Sequence, residues 1–524
     1  MNTTDQTKRY TTPGLLPRAL TRLSQWLAGA ALLPWLCLPA NAAEYSLVIN
    51  GGRVIDPENR LDEIRHIGLH GDRIAVVSET PLQGARVIDA SGLVVSPGFI
   101  DLHTHSPTLL GQHYQLFDGV TTALELEVGA YPVTAYGAEI SATPLINFGA
   151  SAGYINMRML EKDGLRTASI SQRPQPEGIK GWWNAARAYF GGPQVLNTLR
   201  ETATPEELLR LRSMLAESLD AGALGIGLPL DYFSEAAAPA EVQMIFETAA
   251  ERGAPIFIHI RRGVNGDPAG LREVLALAAV TGANIHICHI THNAMGNIEL
   301  FLAEVRRARS QGVEVSVGVL PYNAGSTAIS AAVFNRDWQT TFNISYGDVE
   351  WAATGERLTE ASWNRYREEQ PQGAVIHHYL QEAWTRRALQ EPGSIVVSDL
   401  LPMQSLDKNV APHNGAFSKI LARYVREQQL LDLPTAIEKM TLLPARRLQD
   451  YAPQFSRKGR LQVGMDADIV IFDANRILDK ATYRNPYQQA EGIEHVVVAG
   501  KPVVANGKLV PNLFPGRRMI RGKP

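Results

Sequence analysis

The residues able to do chemistry gather at the ends of short apolar runs. The run Phe99–His105 reads FIDLHTH, so His103 and His105 lie two apart and share one face of an extended strand. Two imidazoles on one face can meet a single ion. Later runs end in His259 (IFIH), His289 (HICH) and Asp399 (VVSD). The run TTALELEVG offers Glu125 and Glu127, again on one face. A carboxylate inside an apolar strand is costly to bury alone, and a metal ion is the simplest partner. Imidazole and carboxylate donors suit Zn2+ and, less often, another first-row divalent ion. One His-x-His alone is weak evidence, whereas His103, His105, His259, His289 and Asp399 on successive runs form a ligand set. Asp101 reads as a group that holds a ligand histidine or the strand end. His286 and His292, each taken singly, read as core histidines. Cys288 faces away from His289 and reads as core.

Positioning such a set takes a rigid frame, and the order of runs supplies one. GFIDLHTH, TTALELEVG, TPLINFGAS, GALGIGLPL, PIFIHIRR, NIHICHITH, VEVSVGVLP and SIVVSDL are eight strand-like segments. Helical stretches such as Pro205–Gly222 and Pro239–Gly253 separate most of them. This predicts an α/β fold, a (β/α)8 barrel of the TIM type over 96–458, with its chemistry at the C-terminal strand ends. The stretch 334–392 is polar and Trp-rich and reads as an insertion before the last barrel strand. Within it, His377 and His378 read as a solvated pair. Alternating strands near both ends, 44–95 and 459–524, predict one small β-sandwich built from both chain ends. Asn506-Gly507 is expected to turn a hairpin there.

The 524 residues are an ordinary globular mixture, which excludes disordered, collagen-like and multi-span membrane classes. Fifty basic residues face 53 acidic ones without a block of like charge, so no nucleic-acid partner is expected. The two cysteines, Cys37 and Cys288, exclude a disulfide scaffold. Residues 1–43 read as a cleaved secretory signal. Arg18 and Arg22 precede the apolar run Trp26–Pro39, and Ala40-Asn41-Ala42-Ala43 supplies a small-residue cleavage site. The run falls short of the ~20 residues of a membrane span, so no stable membrane insertion is expected after cleavage. A periplasmic or secreted enzyme with a mildly acidic mature chain follows.

Taken together, these motifs resemble the amidohydrolase superfamily, and within it the D-aminoacylase (N-acyl-D-amino-acid deacylase) branch. The resemblance covers nearly all of the chain beyond the signal. It is carried by SPGFIDLHTH (Ser96–His105), GVTT (Gly119–Thr122), DAGALGIGLPLDY (Asp220–Tyr232), HIRR at His259 and CHITH at His289. LPYNAGST (Leu320–Thr327), SD at Asp399 and RNPYQQAEGIEHVVVAGKPV (Arg484–Val503) complete it. The resemblance implies a zinc-dependent hydrolase with one or two ions. His103 and His105 would ligate the more buried ion with Asp399, and His259 and His289 would hold the other. D-aminoacylases typically place a Cys on the second strand; none stands here, which leaves Glu127, with Glu125 second. A basic residue often stands two after the histidine matching His289, where this chain has Thr291. The family's His-Pro-Arg stretch is replaced here by Ala411-Pro412-His413.

The resemblance also implies roles. Asp399 would take the proton of the attacking water and return it to the leaving amine. Tyr322, in the position the family uses, would help stabilise the oxyanion. Arg261, Lys408 and His413 are the candidates for holding a substrate carboxylate, although Arg261 can equally pair with an acid. The expected substrate is a small amide, most simply an N-acyl-D-amino acid cleaved to the D-amino acid and a carboxylate. A cyclic-amide hydrolase or isoaspartyl-type dipeptidase would use the same ligands. A non-catalytic exported metal- or ligand-binding barrel is the alternative of another class.

Overall fold

The computed structural model describes residues 44–169, 172–189, 196–406 and 413–522. The expected signal segment and Cys37 lie outside the described residues, as does Lys408. Eight parallel strands form the frame: β1 (Phe99–Asp101), β2 (Val120–Ala130), β3 (Asn147–Gly153), β4 (Ile226–Pro229), β5 (Ile256–His259), β6 (Ile285–Ile287), β7 (Val315–Val319) and β8 (Ser394–Val396). Ile226, Ile256, Ile285 and Val315 pair side by side, and every residue of β1, β2, β3, β4, β5, β6 and β8 is buried. Such uniform burial is what parallel strands covered on both faces require. The ring closes just past the strands, where Asp399 N–H donates to the His103 carbonyl at 2.8 Å and His105 N–H to the Leu400 carbonyl at 2.7 Å. The closing seam therefore runs through the predicted ligands.

The connecting helices begin where the sequence signals them. Thr204 caps the helix Pro205–Asp220 by accepting from Glu207 N–H, and the Glu207 side chain answers the Thr204 N–H. The helix Pro239–Arg252 carries Pro at its start and ends at Gly253 with φ +60°.

Strands from both chain ends build one second sheet, in the order 508–509, 501–505, 493–498, 469–472, 94–97, 47–56, 61–70 and 73–78, with 87–89 beside 47–56. The sheet curls over its own cluster of Leu47, Ile49, Ile67, Leu69, Ile469 and Ile471, giving the sandwich. The strand Ile469–Phe472 shows the logic of alternation. Ile469 and Ile471 face that cluster, while Val470 and Phe472 join the barrel core. Asn506 and Gly507 turn the hairpin with φ of +52° and +68°, the doubly left-handed pattern of a tight two-residue turn. Gly98 lies between the sandwich strand 94–97 and β1, where an added Cβ would meet Thr121 Oγ1 at 2.2 Å. The tail leaves the sandwich, and Arg518 bridges Phe148 on β3.

After β7 the chain makes a four-stranded antiparallel sheet, ordered 325–328, 374–377, 349–351 and 356–357. Its polar composition hides a core. Phe334, Trp338, Phe342, Trp351, Trp363 and Tyr379 form a separate buried cluster, with Trp338 stacked on Trp363 at 4.7 Å. His377 lies inside this cluster, packed against Phe342 and Tyr379 and only 5% exposed. The expected solvated His377–His378 pair is thus corrected, because the aromatic side chains of the insertion supply an apolar interior that composition alone concealed. His378 Nε2 lies 3.1 Å from Glu350 Oε2, within hydrogen-bond reach. Among the described residues no helix is long and apolar enough to cross a membrane.

Candidate active site

The strand ends bring His103, His105, Glu127, His259, His289 and Asp399 together at the barrel mouth. One carboxylate organises them. Glu127 Oε2 lies 3.1 Å from His103 Nε2 and 3.3 Å from His105 Nε2, while its Oε1 lies 3.1 Å from His259 Nδ1 and 3.0 Å from His289 Nε2. Asp399 Oδ1 stands 3.4 and 3.2 Å from His103 and His105 Nε2, and those two nitrogens are 3.1 Å apart. Two donors bound at 2.0–2.1 Å to a tetrahedral ion stand about 3.3 Å apart. The donor spacing therefore fits a first-row ion in each half, with Glu127 giving one oxygen to each.

Glu125 does something else. Its Oε2 meets His105 Nδ1 at 2.8 Å, and its Oε1 accepts from Val128 N–H at 3.2 Å. A carboxylate there fixes the tautomer that leaves His105 Nε2 free to face Glu127. Asp101, fully buried, accepts from the Ser398 hydroxyl, Ser398 N–H and His103 N–H, tying the ends of β1 and β8. Burial pushes its carboxyl up to about 6.

Two of the clustered residues, His289 and Asp399, hold left-handed backbones, with φ of +29° and +50°. Non-glycine residues rarely adopt this region unless their surroundings hold them there. Burial opposes charge on His103, but the Glu127 and Asp399 carboxylates keep its pKa above the ordinary value. His105 is raised likewise by Glu125, Asp399 and Glu127 against its burial. His289, lowered to about 4 by burial and by His259, is a neutral donor near pH 7. Burial would raise Glu127, yet His103, His105 and His259 hold it well below the usual carboxylate range.

The remaining sequence candidates fall elsewhere. Arg261 Nε pairs with Glu273 at 2.9 Å and its Nη2 donates to the Ala237 carbonyl, so it serves an ion pair rather than the cluster. Strand alternation from His259 does not reach it, because β5 ends at His259. Arg262 turns inward instead. Its Nη1 donates to Tyr379 Oη at 2.9 Å, and its Nε lies 3.6 Å from Asp231. Asp231 also accepts from Arg336 of the insertion at 2.7 Å and stands 3.7 Å from His259 Nε2. Tyr322 is packed in the core, and its hydroxyl is buried without a hydrogen-bond partner among the described residues. Burial and the acids Asp479 and Asp118, not the ligand carboxylates, dominate its raised pKa. Tyr232, which the sequence reading quoted only inside a motif, is nearer. Its ring meets His259 edge-on at 5.4 Å, and after burial, Glu127 and Asp399 do most to raise its phenol. The DY pair at Asp231-Tyr232 immediately after β4 was the available signal. His413 stacks on Tyr322 at 4.9 Å and donates from Nδ1 to the Asp399 carbonyl at 2.7 Å. Its Nε2 is buried without a partner among the described residues. Cys288 and His286 are core residues, His286 bonded to Ser316 Oγ at 2.8 Å.

A closed parallel barrel with histidines and carboxylates converging at its mouth defines a metal-dependent hydrolase. Residues 86–504 match the model of the amidohydrolase family, and the chain belongs to that family. It is 33% identical over 502 residues to the N-acyl-D-glutamate deacylase of Alcaligenes xylosoxydans xylosoxydans, covering 91% of this chain and 96% of that one. The D-aminoacylase of the same organism is 28% identical, covering 88% and 95%. The solved N-acyl-D-glutamate deacylase from Bordetella bronchiseptica, complexed with zinc and a phosphonate inhibitor, superposes with a TM-score of 0.72. It is 27% identical and covers 91% of this chain and all of that one.

Proposed function

We propose that the protein hydrolyses N-acyl-D-amino acids with zinc held by these side chains. His103, His105, Asp399 and Glu127 Oε2 would hold one ion, and His259, His289 and Glu127 Oε1 would hold the other. The observation that carries this reading is the split of the Glu127 carboxylate between two imidazole pairs. A bound divalent ion lowers the pKa of water toward neutrality and polarises the amide carbonyl. Asp399 accepts the proton of the attacking water and delivers it to the departing amine nitrogen. Tyr232 offers the phenolic hydrogen bond to the substrate, the part the sequence reading gave to Tyr322. At the rim, Arg262 and Arg336 share one carboxylate, Asp231, and Arg262 Nη2 makes no hydrogen bond among the described residues. That excess of positive charge suits the free carboxylate of an N-acyl amino acid, and the similarity to N-acyl-D-glutamate deacylases favours an acidic side chain.

The zinc-loaded protein, assayed against N-acetyl-D-glutamate, N-acetyl-D-leucine, their L-enantiomers, β-aspartyl dipeptides and hydantoins, tests this reading. Turnover of the D-N-acetyl compounds is expected. Turnover confined to hydantoins or β-aspartyl dipeptides would replace it with the cyclic-amide or isoaspartyl reading. No turnover with metal bound would favour a binding barrel. Export belongs to the same proposal, and a mature N-terminus at Ala43 or Glu44 is the expected result of sequencing the periplasmic protein.

Metal binding is expected to strengthen as pH rises. In the metal-free protein the raised His103 and His105 hold protons that an ion must displace. Isothermal titration with zinc in buffers of different ionisation enthalpy should therefore report protons released near pH 7. Linkage gives the sign for stability. The metal-free protein keeps the His103 and His105 contribution below their ordinary pKa of about 6.5 and loses it as pH climbs through the raised values. A zinc affinity independent of pH between 6 and 8 would contradict the assignment.

A further inference from the structure

We propose that His413 is a positioning residue that locks Asp399 in its left-handed backbone conformation and so aims its carboxylate at His103 and His105. The inference rests on the reading of Asp399 as proton carrier. Asp399 has φ +50°, a conformation that a non-glycine residue leaves when it is free to do so. Its neighbours are already fixed. Ser398 is bonded to Asp101 through both N–H and hydroxyl, and the Leu400 carbonyl accepts from His105 N–H. Asp399 N–H donates to the His103 carbonyl at 2.8 Å. What remains is the Asp399 carbonyl, and among the described residues its one hydrogen bond comes from His413 Nδ1, at 2.7 Å. A carbonyl only accepts, so Nδ1 carries the proton and the imidazole is neutral with its lone pair on Nε2.

His413 is itself held independently of Asp399. It is 2% exposed, its ring stacks on Tyr322 with 28° between planes, and Lys419 Nζ stands 4.2 Å over the same tyrosine ring. The following residues are anchored by Asn414 Nδ2 on the Gln488 carbonyl and by Phe417 and Ser418 N–H on Asp118. A fixed donor thus reaches across to a strained peptide unit whose side chain lies in the reaction centre. The polar side chains that sequence reasoning assigned to substrate thereby divide. His413 acts through Asp399, by way of the bond from Nδ1 to its carbonyl.

His413→Phe keeps a stacked ring but removes the donor, and His413→Asn keeps an N–H near the Nδ1 position. The full-length zinc-loaded enzyme carrying His413→Phe should lose kcat by about 100-fold, the scale of a roughly 1 Å misplacement of a reacting group, with KM and zinc content unchanged. His413→Asn should recover most of that loss. Adding His413→Phe to Asp399→Asn should not lower the residual rate further. Wild-type kcat in His413→Phe would overturn the proposal, as would equal loss in the Phe and Asn variants, since a ring or size effect would then explain it. His413→Leu serves as the donor-free variant should the phenylalanine protein not fold. If Asp399→Asn is itself fully active, the reading of Asp399 fails and this proposal with it. If Asp399→Asn is inactive while His413→Phe is normal, only the role of His413 fails.

Discussion

Replacing Asp399 with Asn is expected to lower kcat by about 10²- to 10⁴-fold, the span of a lost general acid–base group, or roughly 3–5 kcal/mol of barrier. The amide keeps an oxygen near the position of Oδ1, and His103, His105 and Glu127 remain as donors, so zinc content should change little. A proton carrier acts between ground state and transition state, so kcat and kcat/KM should fall together while KM holds. Burial would push this carboxyl up, but His103 and His105 overcome it and hold Asp399 well below the usual carboxylate range. The group is therefore ionised near pH 7, the form that can accept a proton. Stopped-flow rates with metal analysis on the same sample check the prediction. Retention of wild-type kcat would remove Asp399 from proton transfer and leave only a ligand.

The parts of this site that could be read in advance were those governed by strand periodicity. His103 and His105 share a face because β1 leads straight into them, and Glu125 and Glu127 share one because β2 extends through both. The eight apolar runs were legible for the same reason, since a strand buried on both faces must be apolar along its length. Past the strand ends, His289 and Asp399 were legible only through the runs that lead into them, and the side chains further on were not. Past His259 the chain leaves β5, so Arg261 swings to Glu273 and Arg262 turns inward. His413 lies near Asp399 through a long connection that carries no periodic signal, and its partner is a backbone carbonyl, which has no sequence letter. The core of the insertion was hidden for a compositional reason. A few aromatic residues spaced among many polar ones close a small cluster that average polarity does not reveal.

Left-handed backbone at His289 and Asp399 bears on how the two halves of the site stay in register. Each residue stands just beyond the last paired residue of its strand, where ladder hydrogen bonds no longer dictate φ and ψ. Strain of about 1–2 kcal/mol per such residue is small beside the cost of leaving a buried carboxylate or imidazole without partners. Contacts among the clustered side chains, joined at Asp399 by the His413 donor on its carbonyl, hold backbones that isolated strands would not adopt. Local irregularity at these two points is what lets residues of unequal strand phase face one cavity.

Changing Glu127 to Gln should have the other large effect, and its contrast with Glu125→Gln separates two carboxylates that the sequence left as rivals. Glu127 gives one oxygen to each imidazole pair. An amide has a single acceptor oxygen and an NH2 group that cannot ligate, so one half must lose a donor whichever way the amide turns. Zinc content should fall and activity with it, by at least about 10³-fold if both halves are needed to place water and carbonyl. Removing the negative charge also strips away a cause of the raised His103 and His105 pKa values. Proton release on metal binding should therefore shrink in the same variant, a result no simple packing defect would produce. Glu125→Gln keeps an oxygen able to accept from His105 Nδ1–H, and the expected loss is the about 10- to 100-fold in metal affinity typical of a partner that orients a ligand. Elemental analysis and zinc titration of both variants decide the matter. Equal zinc affinity in the two would reject the bridging role of Glu127, and a larger loss in Glu125→Gln would reverse the assignments.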